Sequence, residues 1–202
     1  MYALVINCGS SSLKFALIHA KERNTVISGG AEQLDTPDAT LTIKYHGEKI
    51  KNKLEDPTHL GAFKETFQFL QKEGYADKIK AVGHRVVHGG EYFQESVEIT
   101  PEVIEIIKKC APLAPIHNPA NLTGILAAKE VLPELPQIAV FDTAFHQTMP
   151  EEAYLYGLPL EIYEKYNIRR YGFHGSSHRY ITERTSRILD IPLEKLNIIS
   201  CH

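Results

Sequence analysis

The order of the predicted elements constrains this fold more than any other feature, because strands come first and helices appear only afterwards. Apolar and polar residues alternate in Tyr2–Asn7, Ser12–Ile18 and Thr25–Ser28, which predicts three short strands joined by turns. A further hairpin is predicted over Ala39–Tyr45 and Glu48–Leu54. The chain therefore begins as an antiparallel meander.

Downstream of the meander, helices alternate with buried strands. Helical spacing predicts helices over Leu60–Glu73, Pro101–Lys109, Asn121–Leu132 and Ser176–Leu189, and apolar runs predict strands over Ala81–His88, Gln137–Asp142 and Leu196–His202. We expect Gly74 to follow the first helix, and Thr100, Asn121 and Ser176 to cap the others. This order predicts an α/β fold in which the meander leads into parallel strands of a mixed sheet flanked by helices.

The chain of 202 residues is long enough for one large or two small cores, and it contains no internal repeat. The net charge of −3 and the lack of a basic stripe argue against nucleic acid and anionic membranes as partners. No apolar run approaches the roughly 20 residues of a membrane span. The three cysteines, Cys8, Cys110 and Cys201, are widely spaced, and we expect no secretory signal because the sequence opens directly into a strand. We therefore expect a cytoplasmic protein with packed thiols.

The first predicted hairpin carries a Gly/Ser turn followed by a lysine. Gly9 allows oxyanions to approach the backbone, Ser10 and Ser12 offer hydroxyl donors, and Lys14 can reach a phosphate. Asn7, at the end of the strand, can hold a metal-bound water. The segment lacks the Walker A spacing and its following helix. An ordinary hairpin turn and a polyphosphate site both remain open here.

Two later strand ends carry charged side chains. Arg85 and Val87 share one face of a strand, a combination that suits a small organic acid, and the alternative is an arginine paired with an acidic neighbour. Asp142 ends an apolar strand, where a carboxylate can act as a base, a metal contact or an orienting group, or can simply cap the next turn.

Histidines form the third group of candidates. His174 precedes a helix whose first N–H groups favour anions, and it can donate a hydrogen bond to a transferring phosphoryl group. His178 is four residues away, but no H-E-x-x-H arrangement supports zinc. His117 lies between prolines in a stiff loop, where a backbone-bonded histidine and a ligand contact are equally compatible with the sequence.

Five segments together closely resemble the acetate kinase family, in the family's order. They are the stretches at residues 7–14, 83–90, 115–119, 141–146 and 171–178. The resemblance implies a ribonuclease H-like, actin-like ATPase fold. It also implies transfer of the γ-phosphoryl group of ATP to acetate, giving acetyl phosphate and ADP, with Mg²⁺ or Mn²⁺ as the metal.

The resemblance also implies a role for each matching residue. Asn7 would contact the metal, and the nucleotide phosphates would be bound by Ser10, Ser12, Lys14 and His202. Arg85 would bind the carboxylate or the phosphoryl group, and His117 would contact the substrate. The methyl group would be surrounded by Val87, Ile116 and Phe173. Asp142 would be the acid/base or orienting group, and His174 would stabilise the transition state. The family often has leucine at the position of Ile116, a nearly volume-conserving difference.

Family members continue for about as many residues again, so we expect this chain to be an N-terminal domain that stops at a strand end and is inactive alone. The resemblance further implies a homodimer for the complete protein. Two alternatives are a propionate or butyrate kinase of the same superfamily, and a free-standing module that binds carboxylate or phosphate without catalysis.

Overall fold

The computed structural model describes all residues from Met1 to His202, and one eight-stranded sheet organises them. The strands are β1 (Tyr2–Gly9), β2 (Ser12–His19), β3 (Thr25–Glu32), β4 (Thr40–Tyr45), β5 (Glu48–Lys53), β6 (Ile79–Val86), β7 (Val97–Glu98) and β8 (Gln137–Phe141). Their spatial order is β5-β4-β3-β2-β1-β6-β8-β7. The predicted meander is confirmed, since β1 to β5 pair antiparallel in sequence order.

The centre of the sheet is parallel, with β1 pairing β6 and β6 pairing β8. The short strand β7 returns antiparallel along the edge of β8. Parallel neighbours require crossover connections, and the helices supply them. The carboxyl ends of β1, β6 and β8 consequently meet at one edge, which is where ligands bind in open α/β sheets.

The chain also forms six helices. They are α1 (His59–Lys72), α2 (Pro101–Lys109), α3 (Asn118–Val131), α4 (Glu151–Tyr154), α5 (Leu160–Tyr166) and α6 (Gly175–Leu189). On one face, α1 and α3 pack on each other and on the sheet, enclosing a core of 21 buried residues that includes Leu4, Ile6 and Phe63. A second core of nine residues, centred on Ile107, Ile125 and Phe141, joins α2 and α3 to β6 and β8. No helix combines the length and apolar character that crossing a bilayer requires.

Most predicted elements are confirmed, and the errors have physical reasons. The strand predicted over Leu196–His202 does not form, because no neighbouring strand offers a hydrogen-bonding ladder there. Asn121 is not a cap, because α3 begins three residues earlier, at Asn118. Ser176 is not a cap either, because His174 occupies that position. Gly74 does follow α1, with a φ of +72° and with the N–H of Tyr75 bonded to the carbonyl of Leu70.

Candidate active site

The carboxyl ends of β1, β6 and β8 bring three polar side chains to one cavity. Asn7 lies on β1, Arg85 on β6, and Asp142 directly follows β8. The cavity has a volume of about 500 Å³, and the start of α6 closes its other side with His174, Ser176 and Ser177. The sequence predicted each strand end separately, and the parallel register joins them.

Arg85 and Asp142 form a two-pronged ion pair in this cavity. The Nη2 atom of Arg85 lies 2.6 Å from Oδ2 of Asp142, and Nε donates to both carboxylate oxygens at 3.2 and 3.0 Å. The carboxylate is 4% exposed, whereas the arginine side chain is 41% exposed. Nη1 of Arg85 lies 3.4 Å from Oδ1 of Asn7. The buried carboxylate thus fixes a guanidinium that still faces the cavity.

The backbone around Asp142 is equally constrained. Its N–H donates to the carbonyl of Val86, and its own carbonyl accepts from the N–H of Gly175, the first residue of α6. A Cβ atom at Gly175 would lie only 2.5 Å from that carbonyl oxygen. Glycine is therefore required for α6 to begin this close to β8.

His174 adopts a left-handed conformation, with φ 54° and ψ 26°, immediately before α6. Non-glycine residues rarely occupy this region, and functional sites often retain them there. The ring of His174 lies 4.0 Å from the ring of His202, and both histidines line the cavity. We expected the first N–H groups of this helix to attract an anion. The N–H groups of Gly175, Ser177 and His178 are already bonded to carbonyls, so most of these donors are satisfied within the protein.

The hairpin between β1 and β2 follows Asn7, but Ser10, Ser12 and Lys14 do not line the cavity. Gly9 and Ser12 close its two-residue turn, and the side chain of Ser10 is exposed. His59, buried at the start of α1, donates from Nε2 to the carbonyl of Gly9 at 2.8 Å. Lys14 is paired with Asn7 across the two strands, but its side chain lines an adjacent cavity together with Lys44, Lys49 and Lys51.

The residues predicted to surround a methyl group differ in exposure. Val87 is buried, Ile116 is 72% exposed in the loop before α3, and Phe173 is 43% exposed. The ring of Phe173 lies 5.5 Å from the ring of His88. His117 is exposed beside Ile116. None of these four residues lines the cavity that holds Arg85 and Asp142.

Two asparagines of α3 bind the backbone just after β6, and sequence reasoning missed them. Asn118 accepts the N–H of His88 at 3.0 Å, and Asn121 accepts the N–H of Val87 at 3.0 Å while donating to the carbonyl of Cys8 at 2.7 Å. Both side chains are at least 96% buried. The available signal was two asparagines at helical spacing on a face that packs against strand ends.

Two buried histidines lie on β6 and just after it. His84 donates from Nε2 to Oε1 of Gln137 at 2.6 Å, and burial lowers the pKa of His84 to about 4. His88 accepts the N–H of Gly90 at Nδ1, and burial lowers the pKa of His88 to about 4. Both rings are therefore neutral at pH 7 and stabilise the backbone behind the cavity.

Comparison with known proteins decides the family. The family model described as "Acetokinase family" matches residues 2–202. The chain belongs to the acetokinase family. An acetate kinase from Oceanobacillus iheyensis is 54% identical over 202 residues, covering 98% of this chain and 51% of that protein. The resemblance predicted from the five segments is thereby confirmed.

Solved structures of acetokinase relatives share the fold. A propionate kinase from Francisella tularensis has a TM-score of 0.91 and 46% identity over 94% of this chain and 49% of that one. An acetate kinase from Porphyromonas gingivalis has a TM-score of 0.89 and 46% identity over 96% and 50%. The predicted actin-like α/β fold is confirmed, and the chain spans about half the length of the relatives it matches.

Proposed function

We propose that the protein containing this chain is an acetate kinase, which transfers the γ-phosphoryl group of ATP to acetate and gives acetyl phosphate and ADP reversibly. The observation that carries the proposal is Arg85, whose guanidinium is fixed by Asp142 and still faces a cavity between three strand ends and a helix start. Relatives named acetate kinase at about half identity support the same reaction.

Catalysis of this reaction depends on positioning the substrates and neutralising their charge more than on covalent bonds between the substrates and the protein. A carboxylate oxygen of acetate forms a bond to the γ-phosphorus, and the bond from that phosphorus to the bridging oxygen breaks, leaving ADP. Arg85 binds the carboxylate or the transferring group, and Asp142 orients Arg85. Because acetate is already ionised at pH 7, Asp142 need not remove a proton. His174 donates a hydrogen bond to the phosphoryl group as its charge shifts.

The nucleotide phosphates would lie along the first hairpin. Ser10, Ser12 and Lys14 supply donors from this side, and His202 approaches the same cavity from beyond α6. Lys14 would have to turn from the adjacent cavity, which a flexible four-carbon side chain permits. The complete protein is expected to be a homodimer.

The residues present fit a magnesium ion that arrives with the nucleotide. The amide oxygen of Asn7 and the carboxylate of Asp142 are hard oxygen donors on one cavity, and no group of three or more His, Cys, Asp or Glu side chains forms a cage. Magnesium commonly keeps waters and substrate phosphates as its other ligands. When bound, the ion, or Mn²⁺ in its place, would neutralise phosphate charge, while Asn7 would hold one of its waters.

The experiment is acyl phosphate formation, trapped as the hydroxamate, by the full-length protein with acetate and MgATP. We expect activity in the full-length protein and none in the 202-residue chain alone. Arg85→Ala should lower kcat/KM by about 3 kcal/mol or more in transition-state binding, roughly a hundredfold, with Arg85→Lys intermediate. A near-normal kcat/KM for Arg85→Ala would refute the role of Arg85.

A propionate kinase is the second candidate, favoured by the structural likeness to the Francisella tularensis enzyme. Val87, Ile116 and Phe173 would set the acyl length if the exposed side chains close over a bound substrate. One methylene changes binding in a hydrophobic pocket by about 1–3 kcal/mol. Relative kcat/KM on acetate, propionate and butyrate therefore separates the two activities.

A further inference from the structure

The two strands that form the walls of the cavity separate before they end. β1 and β6 pair in parallel only as far as Ile6 and His84, although β1 continues to Gly9 and β6 to Val86. If the register continued, Cys8 would lie opposite Val86. The next ladder bond would then run from the N–H of Val87 to the carbonyl of Cys8.

The side-chain amide of Asn121 takes the place of that missing bond. Its Oδ1 accepts the N–H of Val87 at 3.0 Å, and its Nδ2 donates to the carbonyl of Cys8 at 2.7 Å. Two hydrogen bonds in series thus replace one direct bond, so the strand ends are held apart by the width of an amide group. The side chain is 4% exposed, and both of the backbone groups that it joins are satisfied by it.

The backbone of α3 is close enough to make this bridge rigid. One turn after Asn121 lies Gly124, where a Cβ atom would come within 2.3 Å of the sulfur of Cys8. The carbonyl of the next residue, Gly9, is held by His59 from α1. Helices on the rear face therefore fix two consecutive carbonyls of the hairpin.

We propose that Asn121 is a positioning residue that sets the separation between the phosphate-binding hairpin and the carboxylate-binding strand. The proposal rests on the proposed function, because it assigns the two walls to the two substrates. Cys8 follows Asn7 directly, and Val87 is two residues after Arg85, so the amide bridges the backbone immediately behind both cavity residues. If the bridge is lost, each substrate should still bind, but the two substrates should no longer be aligned with each other.

Asn118 provides a matched control on the same helix. It is 1% exposed and holds the same strand end through the N–H and carbonyl of His88, and its third bond goes to Ile107 in α2. Asn118 makes no bond to β1. A variant at Asn118 therefore loosens the strand end without breaking the connection between the walls.

The test compares Asn121→Ser and Asn121→Asp with Asn118→Ser in the full-length protein. A serine is too short to span both backbone groups, and an ionised aspartate cannot donate to the Cys8 carbonyl. For both Asn121 variants we expect kcat to fall at least tenfold while the KM values for acetate and MgATP change by less than about threefold. We also expect more ATP hydrolysed to ADP and phosphate per acyl phosphate formed. Asn118→Ser should keep kcat within about threefold of the wild type.

Three outcomes would overturn the proposal: an unchanged kcat in Asn121→Ser, an equal loss in Asn118→Ser, or a loss confined to KM. If Asn121→Asp fails to fold because of its buried charge, Asn121→Ser still decides. Amide hydrogen exchange gives a second readout that needs no activity, since Val87 should lose protection in Asn121→Ser and keep it in Asn118→Ser. The assay of the wild-type protein tests the proposed function by itself, because a wild type that forms no acyl phosphate refutes that function. In that case the hydrogen-exchange result still shows whether Asn121 bridges the two strands.

Discussion

Adjacent residues of β6 have opposite roles because a strand presents its side chains alternately to two faces. Arg85 faces the cavity and pairs with Asp142, while the ring of His84, a residue only 2% exposed, is bonded to Gln137. The sequence identified Arg85 by its unusual neighbours. It could not identify the partner of His84, because Gln137 lies 53 positions away and nothing local specifies that contact.

The depressed pKa of His84 predicts a loss of stability in acid. Its pKa is about 4 in the folded protein and near 6.5 when unfolded, so the unfolded state binds more protons between these values. The free energy of unfolding should therefore decrease as the pH falls below about 6.5, and the contribution of His84 should level off below about 4. Burial of His88 adds a second contribution of the same sign.

Urea unfolding of wild type and His84→Gln between pH 4.5 and 7.5 measures this effect. Glutamine can still donate a hydrogen bond to Gln137, and it does not titrate. The variant should therefore lose nearly one proton of linkage, which lowers the slope of the unfolding free energy against pH by about 1.4 kcal/mol per pH unit. Identical slopes in the two proteins would show that His84 does not titrate in this range.

At the scale of elements, prediction succeeded where local pattern and tertiary contacts agree. The bounds of α2 match the prediction fully, because Thr100 caps the helix and proline occupies its first turn. The two-residue strand β7 was missed, since two residues carry no periodicity. Half-buried and exposed side chains do alternate from Leu196 to Ser200, but alternation alone does not make a strand without a neighbour to pair with.

The contact between α3 and β1 predicts a strong steric effect of one methyl group. Gly124→Ala would place Cβ 2.3 Å from the sulfur of Cys8 and should destabilise the protein by roughly 1–3 kcal/mol. Gly157→Ala is a matched control, because nothing lies within 4 Å of its Cβ position. Thermal unfolding of both variants gives the comparison.

A double variant identifies the cause of that loss. Replacing Cys8 with alanine removes the sulfur, so Cys8→Ala should restore part of the stability lost in Gly124→Ala, giving a coupling energy above about 0.5 kcal/mol. Strict additivity would mean that the sulfur is not the cause and that the methyl group clashes with another atom, such as the Cβ of Cys8 at 2.8 Å. Cys8 is 4% exposed, and burial raises the pKa of its thiol to about 12, so it packs as a small apolar side chain.

At the scale of the molecule, packing is uneven along the chain. The two apolar cores are built entirely from residues 4–144, whereas between residues 151 and 202 only Arg169 and Gly175 are buried. Tyr180, Ile188 and Leu189 on α6 are more than half exposed. The alternation of strands and helices predicted the well-packed part, but sequence patterns do not specify how later segments attach to it.

Arg169 forms one of the polar connections between these two parts. Its Nη1 pairs with Glu91 in the loop after β6, and its guanidinium carbon lies 3.6 Å from the ring centre of Tyr154. Glu91 also accepts the hydroxyl of Tyr163 at 2.9 Å, and this bond is the main cause that raises the pKa of Tyr163 to about 12. The side chain of Arg169 is 4% exposed, so its removal leaves a partly buried carboxylate without its cation.

We therefore expect Arg169→Leu to loosen the region of α4 and α5 while leaving the meander intact. Losing one partner of a buried ion pair lowers the stability by about 3 kcal/mol or more. Amide exchange in residues 151–171 should therefore accelerate about a hundredfold, and the local stability of that region sets the upper limit of this acceleration. Arg187→Leu removes an arginine whose side chain is 55% exposed and whose ion pair with Glu183 spans 3.6 Å, and it should change exchange little. Equal acceleration in β1 and β2 would show instead that the whole chain unfolds as one cooperative unit and that Arg169 stabilises all of it.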